Sequence, residues 1–349
     1  QISDNFISSE YDVLVSSGEQ ISCALISGRL NHLGYKSQSW MGWQIPIITD
    51  ENFSSSRIVQ IYKKRILNYL KTGGIPIITG FQGINMNKRI TTLGRGGSDA
   101  SAIMIAKFFR AKKCVIYTDV KGVYTTDPKI LKTAKKIHVI SYEEMLEMAS
   151  LGAKVMQPIS IQDARLNRID IDVKSSFIKK NGTLITKRKN IKNRRIITGI
   201  SFTKSDTKIT LIGVKDKPGI AAAIFKPLSE SLINVDMVVQ NISSNGKYTD
   251  LTFTIKSDDL QKTKKIIKNN KNIKFKNLLI NNNVSKISII GVGMITTPGV
   301  TYRMFQALAR KKINIEVIST SEIKISVLIN KKNLKTAVSV LHKEFNLNR

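Results

Sequence analysis

The chain has 349 residues, 42% of them hydrophobic, which suits two or three domains with real cores and excludes global disorder. Its formal net charge is +31. The lysines are spread along the chain, as in Lys264–Lys276, without the interleaved aromatics of a stacking platform, so they read as solvated faces that attract anions rather than as a nucleic-acid interface.

In chain order, Ile21–Leu30 has helical periodicity after Gly18-Glu19, and Ile58–Leu70 reads as a second amphipathic helix. Ile75–Thr79, bounded by Gly73-Gly74 and Gly80, is a short β-branched run and reads as a buried strand. Ala100–Arg110 is a helix and Cys114–Thr118 a strand. Ser141–Leu151 is a helix with Ser141 as N-cap and Glu144 three residues on, a capping box. This alternation predicts an α/β domain with a mainly parallel sheet covered by helices on both faces. The basic, Asn-rich stretch Lys179–Arg195, with a turn at Asn181-Gly182, reads as the domain exit.

An internal repeat follows. Ile209–Val214 corresponds to Ile287–Val292, Pro218-Gly219 to Pro298-Gly299, Phe225 to Phe305, and Asn234-Val235-Asp236 to Asn314-Ile315-Glu316. With strands Tyr248–Ile255 and Ile323–Ile329 and helices Asp259–Lys268 and Leu334–Phe345, each copy has the order of a ferredoxin-like βαββαβ unit. The opening Gln1–Glu10 is polar and is no secretory signal, and no apolar run is long enough to span a bilayer. Cys23 and Cys114 fit reduced thiols of a cytoplasmic protein, and with His32, His138 and His342 they show no metal-ligand spacing.

The segment richest in chemistry is Leu93-Gly94-Arg95-Gly96-Gly97-Ser98-Asp99, running into a helix. Glycines let backbone approach a ligand, the helix start offers amide donors to an anion, and Arg95 can grip a carboxylate or phosphate bidentately. Asp99 suits the positive end of the helix dipole. The spacing fits neither a P-loop nor a dinucleotide fingerprint, and the protein-kinase signatures are absent.

In these residues the chain resembles the aspartate kinases of the amino-acid kinase family. Gly94–Asp99 is similar to their glycine-rich signature, and Ser16-Ser17-Gly18-Glu19 to their Ser/Thr-Gly-Glu motif. Gly80-Phe81-Gln82-Gly83 resembles their Gly-Phe-x-Gly strand end. Tyr117–Val120, Gly122–Thr125 and Asp127-Pro128 resemble their nucleotide-binding segment, followed by Gly152-Ala153-Lys154-Val155. Ile318–Ser326 resembles the second of their ACT modules, and the likeness spans essentially the whole chain.

The resemblance implies a three-layer αβα kinase domain over 1–190 and ACT modules over 191–280 and 281–349. It also implies ATP-dependent phosphorylation of the L-aspartate side chain to 4-phospho-L-aspartate, the first step of lysine, threonine and methionine biosynthesis. By position, Glu19 is expected at the substrate α-ammonium and Arg95 at a substrate carboxylate. Gly96, Gly97 and Ser98 would hold substrate, and Asp99 would organise the cations around the transferring phosphoryl group. Thr118, Asp119, Tyr124, Lys129, Lys154 and Val155 would bind ATP, with Lys154 also catalytic and Mg²⁺ bridging phosphate oxygens. Departures accompany the likeness. The family's opening Lys-Phe/Tyr-Gly-Gly-Thr/Ser motif is not in this chain, which is expected to start downstream of it. Lys121 stands for the usual Asp, Lys129 for Arg, and Gln157 for His.

In the repeat, Asp216 with Gly219, Ile220 and Ala221 places a carboxylate beside a fresh helix start, a pairing that suits an amino-acid zwitterion. Asn234 and Gln240 join that set. Thr297, Val300, Asn314, Ile315, Thr320 and Ser321 are the candidates of the second copy. The resemblance implies lysine or threonine as effectors and a homo-oligomer, either a dimer through the ACT modules or a tetramer. The alternative is a non-catalytic regulatory or pseudokinase subunit that binds the same effectors.

Overall fold

A 25-residue helix, Ser8–His32, comes first and runs straight through Gly18-Glu19. Periodicity suggests only Ile21–Leu30, and a helix of a globular domain ordinarily turns its apolar side inward. Instead Asp12, Ser16, Cys23 and Ser27 are buried, while Ile21, Leu25 and Ile26 are 60%, 69% and 51% exposed. The polar face can be inside because its groups are bonded: Ser16 Oγ donates to the Val13 carbonyl, and Asp12 accepts hydrogen bonds described below. The computed structural model describes residues 6–152, 155–191, 195–242, 247–270 and 273–348.

The chain divides into two compact units, Gln1–Val123 with Lys136–Ser150 and Lys154–Lys192, and Tyr124–Lys135 with Leu151–Ala153 and Asn193–Arg349. In the first, Ser37–Trp40 and Ile75–Ile78 pair in parallel. Ile58–Ile61, Ile47–Thr49, Gln82–Ile84 and Ile90–Thr92 form a second sheet in that order. Lys113–Thr118, Asp170–Ser175, Thr183–Thr186 and Val139–Ser141 form a third. Parallel ladders join Ile47–Thr49 to Gln82–Ile84, Lys113–Thr118 to Asp170–Ser175, and Thr183–Thr186 to Val139–Ser141, with antiparallel ladders between, so the pairing is mixed. In Asp170–Ser175 every second residue is buried, with Ile171 and Val173 fully enclosed.

Ile58–Leu70, expected as one helix, is a strand Ile58–Ile61 followed by a helix Lys64–Lys71. Strand pairing with Ile47–Thr49 wins over a pattern that fits either period, and Ile58, Ile61 and Ile66 still share one core with Trp40, Ile45 and Ile47. Trp40 stacks edge-on against Tyr69 with ring centroids 5.6 Å apart. The helix Tyr142–Ser150 starts with the expected capping box: Ser141 Oγ and Glu144 Oε2 lie 2.7 Å apart, and the Glu144 N–H donates to Ser141 Oγ at 3.2 Å.

The second unit holds two four-stranded antiparallel sheets. The first module runs Asp206–Lys215, helix Ile220–Glu230, Val235–Ile242, Tyr248–Lys256, helix Leu260–Asn269 and Asn277–Asn281. Its four strands take the 4-1-3-2 order of a ferredoxin-like unit. The second module runs Val284–Ile290, helix Val300–Ala309, Ile315–Thr320, Lys324–Asn330 and helix Leu334–Glu344. Its fourth strand comes from upstream: Gly199–Thr203 pairs antiparallel with Val284–Ile290. That strand precedes the first repeat in sequence yet completes the sheet of the second. The modules meet through Met237 and Val239 of one and Val284, Val317 and Leu328 of the other.

Candidate active site

The strand Ile90–Thr92 delivers the chain to the glycine turn. Gly94 and Gly96 have φ of +72° and +75°, a conformation that L side chains rarely adopt. A Cβ on Gly96 would also lie 2.2 Å from Gln157 Cγ, and one on Gly97 2.7 Å from the Phe81 ring. The turn is therefore seated between Phe81 and Gln157. The helix Gly97–Phe108 begins at once, with Asp99 in its first turn. Arg95 is exposed and makes no ion pair among the described residues.

The fold brings Glu19 to this turn across 79 residues: Ser98 Oγ donates to Glu19 Oε1 at 3.0 Å. A carboxylate, a hydroxyl, a helix start and the exposed Arg95 thus share one surface. Burial pushes the Asp99 carboxyl above the usual carboxylate range. Its field reaches the next strand, where burial first and Asp99 second push the Cys114 thiol up to about 11. That strand, Lys113–Thr118, ends at Thr118, whose hydroxyl donates to Asp119 Oδ1 at 3.1 Å. Asp119 is exposed. Glu19, Arg95, Gly96, Gly97, Ser98, Asp99, Thr118, Asp119 and Val155 all belong to the first unit.

Tyr124 and Lys129 belong to the second unit. Tyr124 is half-buried, and Lys129 is exposed at a turn in which its N–H donates to Asp127 Oδ1 at 2.8 Å. Lys154 lies outside the described residues.

Asp12 carried no sequence signal, yet it organises the turn. It is fully buried. Its Oδ2 accepts the N–H groups of Ser54 and Thr92, and its Oδ1 accepts both their hydroxyls, all at 2.8 Å. Ser54 adopts φ +61°, and its carbonyl lies 2.9 Å from where a Gly94 Cβ would be. One carboxylate thus clasps the first helix, the Ser54 turn and the strand that launches Gly94. Its partners are 42 and 80 residues away, beyond any local pattern.

In the repeat, Gly219 and Gly299 precede their helices with φ of +86° and +83°, and a Cβ at either would meet nothing within 4 Å, so conformation alone demands glycine there. Strand register sorts the other candidates. In the second module Ile290 faces Lys324 and Thr320 faces Ile325, which puts Thr297, Val300, Thr320 and Ser321 at one sheet end. Ile315 faces Ile329, which puts Asn314 and Ile315 at the other. In the first module Lys215 faces Tyr248 and Gln240 faces Leu251, so Asp216, Gly219, Ile220, Ala221 and Gln240 lie toward one end. Val235 faces Ile255, leaving Asn234 at the opposite end. Strands of six to ten residues separate their two ends by roughly 20–33 Å, so one amino acid cannot touch both ends of one module.

Comparison with known proteins agrees with this layout. The amino acid kinase family matches residues 2–175, and the ACT domain matches residues 209–270 and 287–345. The class is therefore that of small-molecule kinases with appended ACT modules. An aspartate kinase of Pseudomonas fluorescens is 44% identical over 340 residues, which are 97% of this chain and 82% of that protein. An aspartokinase of Helicobacter pylori is 44% identical over 344 residues, 97% of this chain and 84% of that protein. Escherichia coli aspartokinase III, solved in complex with aspartate and ADP, superimposes with a TM-score of 0.80 at 25% identity, covering 98% of this chain and 77% of that one. The same enzyme with lysine and aspartate gives a TM-score of 0.79 at 26% identity, again covering 98% and 77%. The chain belongs to the aspartokinase family.

Proposed function

We propose that the protein transfers the γ-phosphoryl group of ATP to the side-chain carboxylate of L-aspartate. A carboxylate oxygen attacks the γ-phosphorus, the bond to ADP breaks, and the product is the acyl phosphate 4-phospho-L-aspartate. The observation that carries this reading is the Ser98–Glu19 contact beside Arg95. An amino-acid dicarboxylate needs a carboxylate for its ammonium and a guanidinium with amide donors for its own anions, and Glu19 bonded to Ser98, three residues after Arg95, supplies both kinds of group at this turn. Two anions must approach each other for the transfer, so positioning and electrostatics carry most of the catalysis.

In this reading Glu19 takes the α-ammonium and Arg95 a carboxylate. Ser98 and the amides of Gly96 and Gly97 hold the substrate. Asp99 orders the cations at the transferring group. Thr118, Asp119, Tyr124, Lys129, Lys154 and Val155 serve the nucleotide, with Lys154 also acting on the phosphoryl group. Asp99 and Asp119 are the hard oxygen donors that suit Mg²⁺, which would screen the phosphates and take the rest of its shell from phosphate and water. We take 1–190 as the catalytic domain and 191–280 and 281–349 as the ACT modules, with Gly199–Thr203 lent to the second module's sheet. Lysine or threonine would bind at Asp216 and Gly219 and at their counterparts in the second module, lowering activity in a homo-oligomer. No helix among the described residues is long and apolar enough to cross a membrane, and we place the reaction in the cytoplasm, where ATP is supplied.

Trapping the acyl phosphate with hydroxylamine tests the reaction: aspartate- and ATP-dependent hydroxamate is expected, and none would leave the non-catalytic reading. Arg95→Ala should cost about 1.5–3 kcal/mol of aspartate interaction, as for hydrogen bonds to charged groups. An unchanged aspartate KM and kcat would remove Arg95 from the site. Equilibrium dialysis with lysine and with threonine tests the modules, and no uptake of either would end the feedback reading for these effectors.

A further inference from the structure

The segment Tyr124–Lys135 is held by the second ACT module. Ile130 and Leu131 pack against that module's core, which includes Ile200, Ile287, Val327, Val338 and Leu341. Thr125, 1% exposed, is the polar anchor. Its carbonyl accepts the Ile200 N–H at 2.7 Å, its N–H donates to the Lys135 carbonyl at 2.8 Å, and its Oγ1 accepts the Lys135 N–H at 3.0 Å. The same Oγ1 lies 2.9 Å from Nε2 of His342, in the last turn of Leu334–Glu344.

His342 is also 1% exposed. Burial, with the Arg195 guanidinium acting in the same direction, pushes its pKa down, which keeps the imidazole neutral. Thr125 Oγ1 accepts from the Lys135 N–H and shares a second hydrogen bond with His342 Nε2, whose direction follows the ring tautomer.

We propose that His342 is a positioning residue for the nucleotide: through its buried hydrogen bond to the Thr125 hydroxyl it locks the segment that carries Tyr124 and Lys129 onto the C-terminal ACT module. This rests on the reading of Tyr124 and Lys129 as nucleotide-binding. Its consequence is that ATP affinity depends on a helix of the second ACT module, so a ligand that shifts that helix changes ATP binding without touching the aspartate turn.

The test is steady-state kinetics of the full-length enzyme, with ATP and aspartate varied separately, alongside the dissociation constant of ADP. His342→Phe and Thr125→Val should each raise the ATP KM and the ADP dissociation constant about 5- to 30-fold, as expected for one buried hydrogen bond. The aspartate KM should stay unchanged. His342→Gln, whose amide can donate or accept in place of Nε2, should recover most of the loss. The double variant His342→Phe with Thr125→Val should be no worse than either single one. Should His342→Phe fail to fold, Thr125→Val and His342→Gln still decide. Equal losses for both substrates, no recovery in the Gln variant or additive single effects would each overturn the proposal. Lys129→Ala separates the layers. If it weakens ATP while Thr125→Val does not, only the positioning role fails. If Lys129→Ala leaves ATP unchanged, the nucleotide reading of the segment fails with it.

Discussion

Asp99 sits where burial disfavours its charge, and that makes it a site where function and stability oppose each other. Its folded-state pKa is raised, so the fold holds the Asp99 proton more tightly than the unfolded chain does. Stability from this group is therefore gained as pH falls through the raised pKa, and at neutral pH the cost of the buried charge is fully present. Asp99→Asn should raise the melting temperature at neutral pH while lowering kcat by about 10²-fold or more, as when a preorganised charge is removed from a transferring centre. The gap in melting temperature should close as pH drops below the ordinary carboxylate range. A scan from pH 8 to pH 3 on both proteins checks this, and a variant less stable than wild type at neutral pH would contradict it. Arg95, Gly96 and Asp99 were visible in the sequence because glycine spacing and charge are local properties. Nothing local marked Gln157 as the side chain lying over Gly96.

At the scale of elements, the first helix is held to the site by polar groups rather than by its apolar ones. Asp12→Ala would leave the buried N–H and hydroxyl of Thr92 and the part-buried N–H and hydroxyl of Ser54 without their acceptor. The expected loss is about 2–5 kcal/mol, measured by urea unfolding, because each orphaned donor carries its own desolvation cost. Asp12→Asn should recover only part of it, since its amide offers a donor to groups that are themselves donors. Full stability in the Ala variant would mean that water replaces the carboxylate. The same reasoning explains where periodicity misled. In Ser8–His32 the buried stripe is hydrogen-bonded and the exposed one apolar. In Ile58–Ile61 a ladder with a neighbouring strand decided between two periods that the residues satisfy equally. The capping box at Ser141 and the glycine starts at Gly219 and Gly299 were legible because their partners lie within a few residues.

Across the whole second unit, the two ACT modules are joined by charge as well as by apolar contact. Lys286, 5% exposed on the second module's first strand, pairs with Asp236 and lies 3.9 Å from Asp206 Oδ2, both carboxylates on the first module. Lys208 pairs with Glu316 at 2.5 Å in the opposite sense. Burial works to raise the Asp236 pKa, but the Lys286 charge and hydrogen bond, the Met237 N–H and the Lys324 charge together outweigh it, and the net direction is down. Its stabilisation is therefore present above the ordinary carboxylate range and is lost as pH falls through the lowered value. Lys286→Ala should cost about 1–3 kcal/mol, between a buried and a surface pair, because the Asp236 side chain is 55% exposed and water can take over its charge. Denaturant unfolding of the two proteins would show it, and a loss below about 1 kcal/mol would mean that the pair acts as an ordinary surface bridge.

What could be read without coordinates depends on neighbours in the chain: the glycine turn and its charges, the capping box, most of the strand-helix alternation, the repeat with its Pro-Gly helix starts, and the family these motifs mark. What needed the folded chain was every contact across long separations: Glu19 on Ser98 over 79 residues, Asp12 on Thr92 over 80, and His342 on Thr125 over 217. The same holds for a strand ahead of the first repeat completing the sheet of the second. Backbone conformation is governed by sterics and hydrogen bonds between near neighbours, so it leaves a local signature. A buried polar partner is chosen only when packing removes water, and the residues that supply it look ordinary until then.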